Sequence, residues 1–281
     1  MTTLLTVARL PLRRAIRDVR YVDPVLYGRS RGVVRRVYRE VERDFGMLAP
    51  PVALHSPAPG LLVAVWELLR ATLLVGGETT RAQREAVAAA VSRANQCPYC
   101  VEVHDASREQ LGGPADVPVE NDELLAVRGT FEYLNRMVTV FLPESPLPPA
   151  APEPVRRTAL RMLGSAADRP VEPCPVGRSG TELLADVADV ADVVLGARLA
   201  AAVRGAVYAA LARPPGLGDE LPADPALHLA VLVAVAPWRV TPEVVGRVAG
   251  GDELVVALAA AGAARAAAAV TPLGGSGRAA G

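Results

Sequence analysis

Two cysteines separated by two residues, Cys97 and Cys100, form the part of the chain best suited to chemistry. Thiols at this spacing can close a disulfide within one helical turn. Pro98 directly follows the first thiol, and proline is favoured in the first turn of a helix, so the pattern predicts a helix that begins at Cys97. The partial positive charge at a helix N-terminus stabilises a thiolate and lowers the thiol pKa. The pair is therefore predicted to be a redox-active dithiol.

A carboxylate and an imidazole accompany the thiols. Cys100 and His104 are spaced i, i+4, so they share one face of the predicted helix. Glu85 stands twelve residues before Cys97 on the preceding predicted helix, and an antiparallel helix pair would bring it back to the thiols. Burial there would raise the pKa of Glu85 and suit it to accept a proton. The four residues fit a peroxidase cycle in which a thiolate becomes sulfenic acid, condenses to a disulfide and is reduced by an external thiol.

The composition of the 281 residues restricts the class of protein. The formal net charge is zero, so the global basic field of a nucleic-acid-binding protein is absent. The 30 basic residues are all arginine, which excludes chemistry through a lysine Schiff base. The N-terminal residues lack the apolar core of a signal peptide, and the long apolar run at 254–270 is interrupted by Arg265. We therefore predict a cytoplasmic protein with neither a membrane nor a nucleic-acid partner.

Helical periodicity predicts an all-α fold, since no convincing alternating strand pattern occurs. Ser30 is predicted to cap the first clear helix, and Thr80 with Gln83 forms a capping box for the helix that carries Glu85. The predicted helices cover 31–45, 60–75, 81–95, 97–112, 121–142, 154–164, 181–212, 225–235, 241–249 and 252–270. Six prolines in 143–154 predict a semi-rigid linker between a catalytic domain at 1–142 and a helical domain at 155–270, before a disordered tail at 271–281.

A faint internal repeat relates the two halves. A shift of 139 positions lays the segment Cys97 to Cys100 on Ala236-Pro237-Trp238-Arg239. A second helical unit that has lost its thiols would explain this similarity. Chance among helices rich in alanine and valine explains it equally well, and both readings stay open.

The spacing of Glu85, Cys97, Cys100 and His104 closely resembles that of the AhpD-like family, which includes alkylhydroperoxidase D and carboxymuconolactone decarboxylases. The resemblance implies an AhpD-like helical bundle in which Cys100 is the peroxidatic thiol and Cys97 the resolving thiol. Glu85 and His104 would carry a proton relay. It also implies thiol-dependent reduction of a hydroperoxide without a cofactor, a lipoyl-bearing protein or small dithiol as reductant, and a homo-oligomer. The decarboxylase branch lacks the thiol pair, so the peroxidase branch is the better match.

Two other readings of the same residues remain. Cys97, Cys100 and His104 could hold a metal ion, with Cys174 or His55 as the fourth ligand. Alternatively, the chain could be a helical scaffold or redox-sensing module whose cysteines do not turn over. Thiol reactivity separates the last reading from the enzyme, because inert buried cysteines would resist alkylation near neutral pH.

Overall fold

The computed structural model describes residues 13, 15–75, 77–115, 117–148, 150–165, 167, 169, 171–172, 178–213 and 221–271. These residues contain eleven α-helices and no β-strand, which confirms the predicted all-α fold. The helices are α1 (Gly32–Asp44), α2 (Pro50–Ala53), α3 (Pro59–Leu69), α4 (Arg81–Ala94), α5 (Pro98–Gln110), α6 (Asp122–Phe141), α7 (Glu153–Ser165), α8 (Gly180–Ala212), α9 (Pro225–Val235), α10 (Pro242–Gly246) and α11 (Asp252–Val270). Of the predicted disordered tail at 271–281, Thr271 is described and buried, and residues 272–281 lie outside the described residues, as does Cys174.

Helix α1 begins without the predicted side-chain cap. Its N-cap residue is Arg31, which makes no capping hydrogen bond. The Ser30 hydroxyl instead donates to the carbonyl of Tyr27 within the preceding 3₁₀ turn, so the prediction that Ser30 caps this helix was wrong. The apolar side of α1, including Val37 and Val41, is buried in the core, and the opposite side carries exposed arginines.

Helices α4, α5 and α6 position the predicted site. The capping box of Thr80 and Gln83 forms with both reciprocal hydrogen bonds, as predicted, and fixes the first residue of α4. Glu123, in the first turn of α6, accepts hydrogen bonds from the backbone N–H groups of Gly77, Glu78 and Thr79 and from the Arg84 guanidinium. The beginning of α4 is thereby tied to α6, and α5 packs back along α4.

The second half packs on the first through one continuous hydrophobic core. Helix α8 contacts α3 and α6, and α11 lies against α6, α8 and α9. Among the described residues, α11 is the one helix long and apolar enough to cross a membrane, yet 72% of its apolar window is buried inside the protein. Arg265, which interrupts this helix, donates to the Asp192 carboxylate of α8 at 2.7 Å. The alanine-rich run is thus a core helix whose one interior charge, Arg265, is paired.

The order of helices in the second half parallels that in the first. Helix α4 packs against α5 and α6, and α9 packs against α10 and α11 in the same way. The middle helix differs, since α5 has 13 residues and α10 has five. The segment Ala236 to Arg239, which aligns with the thiol motif, likewise begins with proline at its first helical position. This order is consistent with the proposed repeat, whose origin as a copy stays a prediction.

Close approach of α9 and α11 depends on a glycine. A Cβ added at Gly262 would overlap the backbone carbonyl of Ala230, which cannot move away as a flexible side chain could. We expect Gly262→Ala to lower the free energy of unfolding by about 1–3 kcal/mol through overpacking. Gly205→Ala in α8 is the control, because no atom lies within 4 Å of the added methyl. Because alanine has a higher helix propensity than glycine, this control should instead raise the free energy of unfolding by up to about 1 kcal/mol. Urea unfolding measures both, and an unchanged Gly262→Ala variant would contradict the close packing.

Candidate active site

The two thiols lie at the junction of α4 and α5. Cys97 is the N-cap residue of α5 and Pro98 is its first helical residue, as predicted. The preceding Gln96 adopts φ +51°, a left-handed conformation that a side chain other than glycine rarely takes. This turn reverses the chain between α4 and α5. Both cysteines are free, with 2.8 Å between the Cys97 and Cys100 sulfurs, and both are buried.

The pKa values of the two thiols are shifted in opposite directions. The hydrogen bond with Cys100 is the largest influence on Cys97, and it lowers the pKa of that thiol despite burial. Burial raises the pKa of the Cys100 thiol, and the adjacent Cys97 opposes a second negative charge. In the closed pair, Cys97 therefore ionises first. This order differs from the one expected if Cys100 alone were activated by the helix N-terminus.

Glu85 contacts His104, the partner that the family resemblance implied, whereas the spacing alone predicted its approach to the thiols. His104 Nδ1 lies 2.7 Å from Glu85 Oε2, and both side chains are buried between α4 and α5. Arg81, one turn before Glu85 on α4, donates to the other carboxylate oxygen at 2.7 Å. Each carboxylate oxygen thus has its own donor. Sequence reasoning missed Arg81, although its i, i+4 spacing from Glu85 was a visible signal.

The pKa of Glu85 is lowered, which corrects the prediction that burial would raise it. Burial does oppose ionisation and is the largest single influence, but the charges and hydrogen bonds of Arg81 and His104 together outweigh it. Glu85 is therefore a fixed anion. Such a carboxylate orients the imidazole, as a carboxylate does for histidine in catalytic triads.

One nitrogen of His104 remains for proton transfer. Because Nδ1 faces the Glu85 carboxylate, that nitrogen carries the hydrogen, and neutral imidazole then presents Nε2 as the acceptor. Phe131 of α6 packs edge to face on the ring, with 4.4 Å between ring centroids. The aromatic contact and the carboxylate together restrict the orientation of the imidazole.

A second polar cluster lies between α4 and α6. Asn95, at the end of α4, donates to Glu132 at 3.0 Å, and Arg136 donates to the same carboxylate oxygen. The Ser92 hydroxyl donates to Asn135 at 3.3 Å, while the Asn135 amide nitrogen is buried without a partner. These contacts tie the turn before Cys97 to α6. This cluster was not predicted from the sequence.

The described residues do not support the metal reading. No group of three histidine, cysteine or acidic side chains in the described part of the chain is arranged to hold an ion. His55, one of the two suggested fourth ligands, has both ring nitrogens engaged, with the Tyr133 hydroxyl at 2.8 Å and the Val52 carbonyl at 3.2 Å. The other suggested ligand, Cys174, lies outside the described residues.

Complete burial of His55 makes stability depend on pH. Burial lowers the pKa of His55 from 6.5 to about 4, so the folded protein keeps the ring neutral where the unfolded chain is protonated. Stability is fully present above pH 6.5 and is lost as the pH falls toward 4. We expect a loss of up to about 3 kcal/mol over this range. Urea unfolding of wild type and His55→Gln at several pH values tests this, and equal slopes for the two proteins would contradict it.

Comparison with known proteins finds similarity over the part of the chain that contains this site. Residues 59–142 match the model of the carboxymuconolactone decarboxylase family. The chain is also 49% identical over 86 residues to alkyl hydroperoxide reductase Rv2159c of Mycobacterium tuberculosis. Because of this similarity we refer to residues 59–142 as the AhpD-like segment. The similarity to the mycobacterial protein covers 31% of this chain and 25% of that protein. No solved structure matched the chain.

The AhpD-like segment contains every residue of the predicted site. The range 59–142 includes Glu85, Cys97, Cys100 and His104, and it also includes Arg81, which contacts Glu85. Helices α8, α9 and α11 lie beyond the match, although they pack on the AhpD-like segment. The part of the chain that resembles known proteins thus also contains the candidate site.

Proposed function

We propose that the protein is a thiol-dependent hydroperoxide reductase that uses Cys97 and Cys100 as its redox pair. The observation that carries this proposal is the placement of a free dithiol and a Glu85–His104 pair at one helix junction in an AhpD-like segment. The similarity to the mycobacterial alkyl hydroperoxide reductase supports the same activity.

In the first step, the proton shared by the thiols selects the nucleophile. The Cys97 thiolate accepts the proton of Cys100 across the 2.8 Å contact, which converts Cys100 into the attacking thiolate. Its sulfur attacks one peroxide oxygen, the O–O bond breaks, and the alcohol leaves as an alkoxide. His104, held by Glu85, accepts at Nε2 the proton that Cys97 loses on ionising and then passes it to this alkoxide. Cys100 is left as a sulfenic acid.

In the second step, Cys97 attacks the sulfenic sulfur of Cys100 and releases water, which forms the Cys97–Cys100 disulfide. A thiolate of an external dithiol then attacks this disulfide through a mixed disulfide, and its second thiol completes the exchange. The protein returns to the dithiol form and the reductant leaves as a disulfide. A lipoyl group or another small dithiol has the required chemistry. We propose that this cycle operates in a cytoplasmic homo-oligomer.

A redox-sensing scaffold is the competing function, and the burial of both sulfurs favours it. Cys97 is 1% exposed and Cys100 is 4% exposed, so a bulky reagent cannot reach either thiol in this conformation. A sensor would form the same disulfide once but would not be reduced rapidly by a dithiol. Turnover therefore separates the two functions.

The deciding experiment measures peroxide consumption with a panel of dithiol and monothiol reductants. We expect catalytic consumption of hydrogen peroxide or a small alkyl hydroperoxide with at least one dithiol, and alkylation of the reduced protein near neutral pH. A single equivalent of peroxide consumed with every reductant would favour the sensor. Thiols that react with neither peroxide nor alkylating agent would leave only the scaffold.

A further inference from the structure

A concave basic surface lies on α1, away from the thiol site. The cavity has a volume of about 620 Å³, and its charged lining is Arg31, Arg35, Arg36, Arg39, Glu40 and Arg43. Ser30 and Gly32 complete the lining, so no apolar side chain contributes. Five arginines against one glutamate give this surface a strong positive charge in a chain whose formal net charge is zero. We refer to it as the arginine cleft.

The charges of the arginine cleft are poorly neutralised within the protein. Arg36 lies 3.9 Å from Glu40, a long contact, and Arg39 has no acidic partner among the described residues. Arg31 and Arg35 donate to backbone carbonyls and to the Ser30 hydroxyl. Arg43 pairs with Asp44, whose carboxylate is already bound by Arg70. Most of the positive charge therefore faces solvent.

The arrangement opposes the stability of the helix that carries it. Arg31, Arg35, Arg39 and Arg43 follow one another at i, i+4, and like charges at that spacing repel. The first turn of α1 contains no acidic residue, and Arg31 and Arg35 lie near the positive end of the helix dipole, while Arg43 lies in the last turn. One bound polyanion would relieve both unfavourable effects, because it would neutralise the arginines and complement the helix terminus.

We infer that the arginine cleft binds a small molecule that carries two or more phosphate groups. Arginine forks bind phosphate oxygens in pairs, and the row from Arg31 to Arg43 extends about 18 Å along the helix, enough for more than one phosphate. A surface that inserts into a membrane carries apolar side chains beside its basic residues, and the lining has none. A nucleic acid would require a basic field larger than this one helix face.

Pyrophosphate and inorganic phosphate are the probes for this site. Isothermal titration at low salt should show saturable binding of pyrophosphate, about tenfold tighter than inorganic phosphate, because two phosphates reach more arginines. The affinity should fall as salt is raised. Pyrophosphate should also raise the Tm of the protein, since it binds only the folded state.

Two double variants with the same change in charge locate the binding. Arg36→Gln/Arg39→Gln should weaken pyrophosphate binding by about tenfold or more and remove its effect on Tm. The control is Arg157→Gln/Arg161→Gln, two exposed arginines of α7. It should bind as wild type does. Without ligand, the cleft variant should unfold at the same temperature as wild type or higher, because repulsion is reduced.

Three results would overturn the inference. They are the absence of saturable pyrophosphate binding at low salt, equal loss of binding in the two double variants, and binding detected only with vesicles of anionic lipid. The last result would assign the surface to a membrane instead. Each outcome is independent of peroxide turnover, because the tested arginines lie outside the AhpD-like segment.

Discussion

Replacement of Cys100 by serine is expected to abolish peroxide turnover and the rapid reaction with the first equivalent of peroxide. A serine hydroxyl cannot form a sulfenic acid, and removal of a nucleophile typically lowers turnover by about 10³-fold or more. Stopped-flow measurement of peroxide consumption, with a coupled assay for turnover, gives both values. The two thiols are buried in the core, so circular dichroism should accompany each measurement to show that the variant is folded.

Cys97→Ser is the matched control, and it separates the roles of the two thiols. This variant should lose turnover but still consume one equivalent of peroxide, because Cys100 can form a sulfenic acid that no second thiol resolves. A reagent that traps sulfenic acid, followed by mass spectrometry, should label Cys100. Label on Cys97 in Cys100→Ser, with a full first equivalent of peroxide consumed, would contradict the assigned order and would agree with the lowered pKa of the Cys97 thiol.

The second large effect is expected at Glu85. In Glu85→Gln the amide has one oxygen, whereas the carboxylate accepts from Arg81 with one oxygen and from His104 with the other. One of these donors must then face an NH₂ group. Loss of this buried charge pair should lower the free energy of unfolding by about 3 kcal/mol. Turnover should fall by about 10²-fold or more, because the imidazole is no longer held in position for proton transfer.

Glu102→Gln provides the comparison on the adjacent helix. Glu102 is partly exposed and binds Arg156 and Ser145, so its loss should cost less than about 1 kcal/mol. The lowered pKa of Glu85 predicts stability that is present above pH 4.5 and lost as the pH falls further. Urea unfolding should show a weaker acid dependence in Glu85→Gln than in wild type. A variant as stable and active as Glu102→Gln would refute a role for the Arg81–Glu85–His104 contacts.

Much of the fold could be predicted because local rules determine it. Helical spacing of apolar residues located the helices to within a few residues, and the capping box at Thr80 fixed the beginning of α4. Proline after Cys97 correctly predicted an N-cap at the first thiol. The meeting of Glu85 with His104 followed from two helices joined by a short turn. These features depend on residues close together in the sequence.

The features that the sequence did not reveal depend on competing partners. Ser30 is of the right type for a cap, but the carbonyl of Tyr27 lies nearer and takes its hydroxyl. Burial alone suggested a raised pKa for Glu85, and the opposite sign arises from two donors that only the packed helices supply. The edge-to-face contact of Phe131 with His104 likewise depends on how α6 crosses α5. Tertiary contacts, which sequence spacing does not specify, decided each of these.

The core shared by the two halves has a consequence for the proline-rich segment between α6 and α7. That segment joins the halves covalently, yet α8 and α11 are held to α3 and α6 by buried side chains on both sides of it. A protease that cuts there would produce two fragments that migrate apart in denaturing gel electrophoresis and elute together from a sizing column. The peptide connection at this point sets the local concentration of the halves, while their side chains hold them together.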